Sequence, residues 1–251
     1  MAARERHPRR GEVGVQRGQI TPLILEIIAT SVEDAVEAAR GGADRLEVVR
    51  DLSRDGLTPS IDLVRKIRRE VPLPLRVMVR ESDGFACGSE DERRILVDAA
   101  AAFNALGVDG IVVGWIRDGH VDEETLGRVL EAAPAACATF HRAFDALADP
   151  EAALRVLRRH PRIDRVLTGA GDGLWTSRCA ALQRYAQWAG SGIVILPGGG
   201  VDEDAARALA ACAGVTEVHI GRAARVGHAI DGPVSAQAVR SLLVAAGRND
   251  S

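Results

Sequence analysis

Lysine is almost missing from this sequence: Lys66 stands alone among 32 basic residues, inside the stretch Arg65-Lys66-Ile67-Arg68-Arg69 that reads as a solvated helix face. A Schiff-base lysine, and with it pyridoxal phosphate, is therefore not expected. Aromatic side chains make up 3% of the chain, four Phe, three Trp and one Tyr. That is thin provision for stacking on single-stranded bases, so nucleic acid is not an expected partner. The cysteines Cys87, Cys137, Cys179 and Cys212 form no CxxC pair and show no close, regular spacing. Separate reduced thiols are expected instead of a disulfide or zinc framework. No apolar run approaches the roughly 18 residues of a membrane span, and the N-terminus carries charge where a signal peptide needs an apolar stretch. The expected location is cytoplasmic, with no membrane partner.

What is present is the material of one sizeable core: 251 residues, 47% of them hydrophobic and 27% charged. Residues 1–20 hold five arginines against two glutamates, without apolar periodicity. They read as a disordered Arg-rich extension, leaving residues 21–251 as the folded domain and making that domain acidic.

From Leu23 onward one unit repeats: a short apolar run, a loop with Gly, Asp, Ser or Pro, then a helical stretch rich in Ala, Leu, Arg and Glu. Such alternation implies parallel strands with crossover helices. Strands are predicted at 23–28, 45–49, 75–80, 110–114, 136–141, 165–168, 193–197 and 216–220. Helices are predicted near 32–41, 60–70, 90–106, 123–132, 150–160, 177–189, 203–213 and 234–246. Ser31, Ser60, Ser89, Asp122 and Asp202 are the expected N-caps, with Ser89 and Glu92 forming a capping box. The first βα turn, Ile28-Ala29-Thr30-Ser31, lacks the glycine fingerprint of a dinucleotide-binding open sheet, whereas glycines cluster after the seventh and eighth strands. The expected fold class is α/β, a single (β/α)8 TIM barrel.

In such a barrel the active site is built at the C-terminal ends of the strands. Glu26 and Glu47 interrupt the apolar patterns of the first two strands, where a buried carboxylate needs a partner or a function. Adjacent strands lie about 4.8 Å apart, so the two carboxylates should raise one another's pKa unless a cation intervenes, and Arg80 is the expected cation. The fifth strand ends Thr139-Phe140-His141-Arg142-Ala143-Phe144-Asp145, placing an imidazole, a guanidinium and a carboxylate at one rim. His141 is expected as general acid or base, oriented by Asp145 or a glutamate, with Arg142 or Arg80 holding an anionic substrate. A buried salt-bridge layer that only sets register is the competing explanation. After the seventh strand comes Gly198-Gly199-Gly200-Val201-Asp202, and after the eighth His219-Ile220-Gly221-Arg222. Backbone N–H groups at these positions match the phosphate grip of many barrels, so a small anionic or phosphorylated ligand is expected.

Together these segments resemble the CutC family, copper homeostasis proteins with a TIM-barrel fold. The carrying residues are Leu25-Glu26-Ile27, Gly42 through Glu47, Gly56-Leu57-Thr58-Pro59-Ser60, Val79-Arg80, Thr139 through Asp145, Arg165-Val166-Leu167-Thr168 and Glu217-Val218-His219. The resemblance spans about residues 23–230, implies copper as the linked metal and a homo-oligomer, and adds Thr168 to the substrate-facing set. This sequence departs from it where family members often carry cysteines after the first two strand glutamates; here stand Ile28, Ala29 and Val49. The family's Arg-Pro-Arg after the third strand is reduced to Arg80-Glu81-Ser82. Copper(I) prefers soft sulfur ligands, so a copper site is hard to assemble here. Two functions follow: copper handling, from the resemblance, or acid–base chemistry on a small anionic substrate by Glu26, Glu47 and His141. The same polar set can also hold a hard divalent ion.

Overall fold

The computed structural model describes residues 22–248. The sequence expectation for residues 1–20 lies outside the described residues. Eight parallel strands follow the chain as β1 Ile24–Ala29, β2 Arg45–Val48, β3 Leu75–Met78, β4 Gly110–Val113, β5 Cys137–Phe140, β6 Ile163–Thr168, β7 Val194–Pro197 and β8 Glu217–Ile220. Each pairs with the next, and β8 returns to pair with β1. Between β7 and β8 the ladder reduces to one bridge, Gly198 to His219. The result is the expected (β/α)8 barrel.

The helices are α1 Val32–Gly41, α2 Ile61–Glu70, α3 Glu90–Ala105, α4 Glu123–Ala132, α5 Pro150–Leu157, α6 Trp175–Ala189, α7 Glu203–Ala210 and α8 Ala236–Ala245. Ser31, Ser60, Ser89, Asp122 and Asp202 each accept the backbone N–H three residues on, as the cap positions predict. The capping box at α3 is only half formed, because Glu92 accepts from the Gly88 amide and not from Ser89. A two-stranded antiparallel ribbon, Ile116–Arg117 with His120–Val121, follows β4 and was not expected. Among the described residues no helix is long and apolar enough to cross a membrane.

Strand alternation divides the side chains into two sets. Leu25, Ile27, Leu46, Val48, Leu75 and Val77 join the main apolar core with the surrounding helices. The opposite faces meet inside the barrel, where the apolar content is a small separate cluster of Ile28, Val49, Met78 and Val112. Below that cluster the interior is ionic, and the strand register explains why. Glu26 lies opposite Arg45 on β2 and opposite His219 on β8, so its partners are side by side before any rotamer is chosen. Arg45 Nε donates to Glu26 at 2.5 Å and its Nη2 to Glu217 at 2.6 Å. Arg165 donates to both Glu217 oxygens and to Asp164, and Arg76 to both Asp164 oxygens. Charges alternate along the whole chain, Glu26–Arg45–Glu217–Arg165–Asp164–Arg76. Each buried ion therefore has opposite neighbours, the condition under which such a layer is tolerable.

Candidate functional site

A cavity of about 840 Å³ opens at the C-terminal end of the strands. Its buried end carries Glu47, Met78, His141 and His219, and its outer wall Arg80, Arg142, Gly199, Gly200, Gly221 and Arg222. Most of the expected site residues thus meet in one space. Glu26 lies one layer deeper and reaches the cavity through His219, whose Nδ1 is 2.8 Å from Glu26 Oε1. Thr168 and Gly198 do not line it. Thr168 is fully buried, its hydroxyl held by Asp145 and by the Ala170 amide. Gly198 is packed between Leu167 and His219 so closely that a Cβ would lie 2.5 Å from Leu167 Cδ1. Both residues shape the site from behind.

Arg80 is not the cation between the two glutamates. Its guanidinium donates to the carbonyls of Arg54, Gly56 and Gly84, tying together the loops after β2 and β3. Arg45 fills the expected role for Glu26. Burial opposes the charge on Glu26, but Arg45 and His219 outweigh it and hold the carboxyl well below the usual range. No guanidinium reaches Glu47: Oε1 has no hydrogen-bond partner among the described residues, and Oε2 is 3.8 Å from His219 Nε2. Burial pushes Glu47 up to about 7, with His219 opposing and the Glu26 charge adding to the rise. Burial also works against charge on His219, yet Glu47 and Glu26 on either side raise it.

His141 departs from its expected role as well. Asp145 does not orient it, being taken by Arg142, Thr168 and the Gly169 amide. The ring is oriented by its own backbone turn: Nδ1 accepts the Ala143 N–H at 3.1 Å. Burial, with Arg80 adding, brings its pKa down to about 3. The imidazole is neutral, and with Nδ1 accepting, the proton sits on Nε2. That nitrogen is buried without a partner among the described residues. At neutral pH His141, a residue of the cavity lining, carries a buried N–H donor without a partner among the described residues and is not a base.

Two features went unnoticed in the sequence. Gly114 follows β4 and lies against the imidazole, where a Cβ would fall 2.5 Å from His141 Nδ1. Gly114→Ala is expected to displace the ring and cost about 1–3 kcal/mol, as overpacking does, measured by urea denaturation. A loss under about 0.5 kcal/mol would show that the ring has room to move. The second is the ionic chain of Arg45, Arg76, Arg165 and Glu217. Its signal was the strict alternation of Arg45-Leu46-Glu47-Val48 and Glu217-Val218-His219-Ile220, polar inward and apolar outward.

The outer wall suits an anion. Gly199 and Gly200 have φ of 96° and 80°, the left-handed region that glycine enters without strain. Among the described residues no backbone acceptor is met by the amides of Gly200, Val201, Arg222 or Ala223, all of which line the cavity. No carboxylate lies within salt-bridge distance of Arg222 among the described residues, whereas Arg142 is paired with Asp145 at 2.9 Å. The loop bearing Arg222 is pinned by buried Arg225, which donates to Asp34 and to the Ile28 carbonyl. None of the four cysteines lines the cavity, and Met78 is its one sulfur among the described residues.

Comparison with known proteins agrees with this architecture. A copper homeostasis protein cutC homolog from Homo sapiens is 34% identical over 210 residues, 83% of this chain and 75% of that protein. A family protein CutC from Agrobacterium fabrum is 36% identical over 201 residues, covering 79% and 78%. The crystal structure of the CutC protein from Streptococcus agalactiae superposes with a TM-score of 0.72 at 22% identity, over 79% of this chain and 98% of that one. At that identity the likeness speaks for the fold. The CutC family model matches residues 23–224, so the chain belongs to the CutC family.

Proposed function

We propose that the barrel mouth is an enzyme-type pocket for a small phosphorylated molecule, the phosphate on the outer wall and the reacting end against Glu47, His219 and His141. One observation carries this reading: among the described residues, Gly200, Val201, Arg222 and Ala223 line one cavity with amides that meet no backbone acceptor, Arg222 meets no carboxylate, and the far end of that cavity holds buried titratable groups. Amides at fixed positions and a guanidinium fork are what a phosphate dianion requires. At the other end, His141 Nε2–H, left without a partner among the described residues by a ring that its own turn fixes, is the donor for a substrate oxygen as negative charge develops on it. Glu47 and His219 are the groups that can accept or release a proton there. The reaction class is a lyase, isomerase or hydrolase step.

Inorganic phosphate at about a hundred times its Kd is expected to stabilise the wild-type protein by about 2.7 kcal/mol. In the chelator-treated protein, Arg222→Ala should reduce this response by at least tenfold in affinity while leaving the unliganded melting temperature unchanged. No phosphate response in wild type, or an equal response in the variant, would overturn the reading.

Copper handling is the second reading, favoured by the names of the relatives. The cavity does not fit a soft copper(I) site, since Met78 is its one sulfur among the described residues. A competition titration against a chromophoric copper(I) chelator under reducing conditions separates the two. If the chelator keeps all the copper, direct copper handling by this chain is excluded. Stoichiometric transfer to the protein would restore it.

A further inference from the structure

We infer that Glu47 and His219, with Glu26 holding the imidazole from behind, form a binding site for one divalent first-row metal ion, of the Zn²⁺ or Mn²⁺ kind, at the buried end of the cavity. One ligand atom from each of the three residues lies within 4.8 Å of the other two, and all three residues are buried. They come from β1, β2 and β8, adjacent strands of one sheet, so the backbone holds them without any loop.

Two independent observations point to a cation. Glu47 is 3% exposed, and its Oε1 meets no hydrogen-bond donor among the described residues. A carboxylate oxygen removed from water in this way wants a positive partner. The second observation is the gap between His219 Nε2 and Glu47 Oε2. At 3.8 Å it is longer than a hydrogen bond. It is close to the separation, roughly 3–3.5 Å, of two ligands that each bind one ion at about 2.1 Å. The other side of the imidazole is arranged accordingly. Glu26 Oε1 lies 2.8 Å from Nδ1, so that carboxylate fixes the tautomer that leaves Nε2 turned toward Glu47. Arg45 in turn fixes Glu26.

The donor set selects the ion. A carboxylate and an imidazole suit a borderline or hard divalent cation and offer nothing soft to copper(I). The open cavity leaves coordination positions for water or for a substrate oxygen, the arrangement of a catalytic and not a structural metal. This inference rests on the reading of the cavity as a substrate pocket and deepens it: Glu47 and His219 become ligands, and the ion polarises the substrate oxygen that His141 also faces.

The test uses the full chain after chelator treatment, titrated calorimetrically with Zn²⁺ and separately with Mn²⁺. Binding of one ion per chain is expected, with affinity falling at least tenfold in Glu47→Gln. That variant should remain folded, since the oxygen it replaces has no partner to lose. Co²⁺ supplies a readout that a purely structural role would not move: a visible d–d absorption in wild type, absent in Glu47→Gln. Failure to bind either ion in wild type, or equal binding in the variant, overturns the site. The phosphate test is separable from this one. Arg222→Ala should keep full Zn²⁺ affinity, and the metal-free Glu47→Gln protein should keep its response to phosphate.

Discussion

Replacing Arg45 by methionine is expected to lower the stability of the fold by about 3–5 kcal/mol, the cost of leaving buried ions without their partner. At about 2–4 °C per kcal/mol for a chain of this size, the melting temperature should fall by roughly 6–20 °C. The reason lies in the position of Arg45 between two buried carboxylates, Glu26 at 2.5 Å and Glu217 at 2.6 Å. Removing it leaves Glu26 with His219 alone and Glu217 with Arg165 alone. Each must then be protonated or stay charged in the barrel interior at a cost. Because Arg45 holds the carboxylate that orients His219, the variant should also bind Zn²⁺ about 10- to 100-fold more weakly. Urea denaturation decides the first claim. A stability change below about 1 kcal/mol would mean that water enters the layer and replaces the guanidinium. A compensating variant sharpens the argument: Glu26→Gln added to Arg45→Met should recover part of the loss, since one of the stranded charges disappears.

The second large effect is on acid stability, through His141. Its pKa of about 3 in the folded protein lies below the ordinary 6.5 of an unfolded histidine. Between those values the unfolded chain binds the extra proton and the folded chain does not. Stability from this group is therefore complete above about pH 6.5 and is lost as pH falls toward 3, at about 1.4 kcal/mol per pH unit. Glu47 acts in the opposite sense over part of that window, because its raised pKa lets the folded state take up a proton first as pH drops below about 7. The two contributions offset one another in the wild-type curve, so the informative quantity is a difference. His141→Asn keeps an acceptor for the Ala143 amide and removes the titrating ring. Relative to wild type, the variant should gain about 3 kcal/mol between pH 6.5 and pH 4, with Glu47 unchanged in both proteins. Parallel stability curves over that range would show that the imidazole is hydrated or already charged in the fold, and its role as the donor for a substrate oxygen would fall with it.

The periodicity of the chain was enough for the barrel. Eight apolar runs alternating with capped amphipathic stretches leave little choice of architecture, and the caps at Ser31, Ser60, Ser89, Asp122 and Asp202 form where Ser and Asp precede the helical pattern. Apart from the antiparallel ribbon after β4, differences are confined to boundaries: β6 begins at Ile163, two residues early, and α5 stops at Leu157. Ends are decided by single hydrogen bonds, which composition does not encode.

The site was legible as a list of residues and illegible as a set of partners. Glu26 and Glu47 were visible because each breaks an apolar strand, His141 because it ends one among polar neighbours, and His219 as part of the expected phosphate grip. Which cation meets which carboxylate depends on register, and a shift of one residue turns every side chain to the other face. Register therefore gave Glu26 to Arg45 and His219. It left Arg80 to the loop carbonyls of Arg54, Gly56 and Gly84. The proton on His141 was equally out of reach. Its placement depends on a backbone amide two residues away and on how completely Gly114 and Phe85 close over the ring.

By itself, then, the amino-acid sequence determined the (β/α)8 class, the caps of five of the eight helices and the glutamates and histidines of the site, because these follow from local periodicity and from the cost of burying charge. Only the tertiary structure decided that, among the described residues, Glu47 has no guanidinium partner, His141 keeps a buried Nε2 without a partner, and Arg222 lines the cavity without a salt bridge. Those properties belong to distances between strands far apart in the chain, and in a buried ionic layer a difference of about one ångström separates a salt bridge from an unpaired charge.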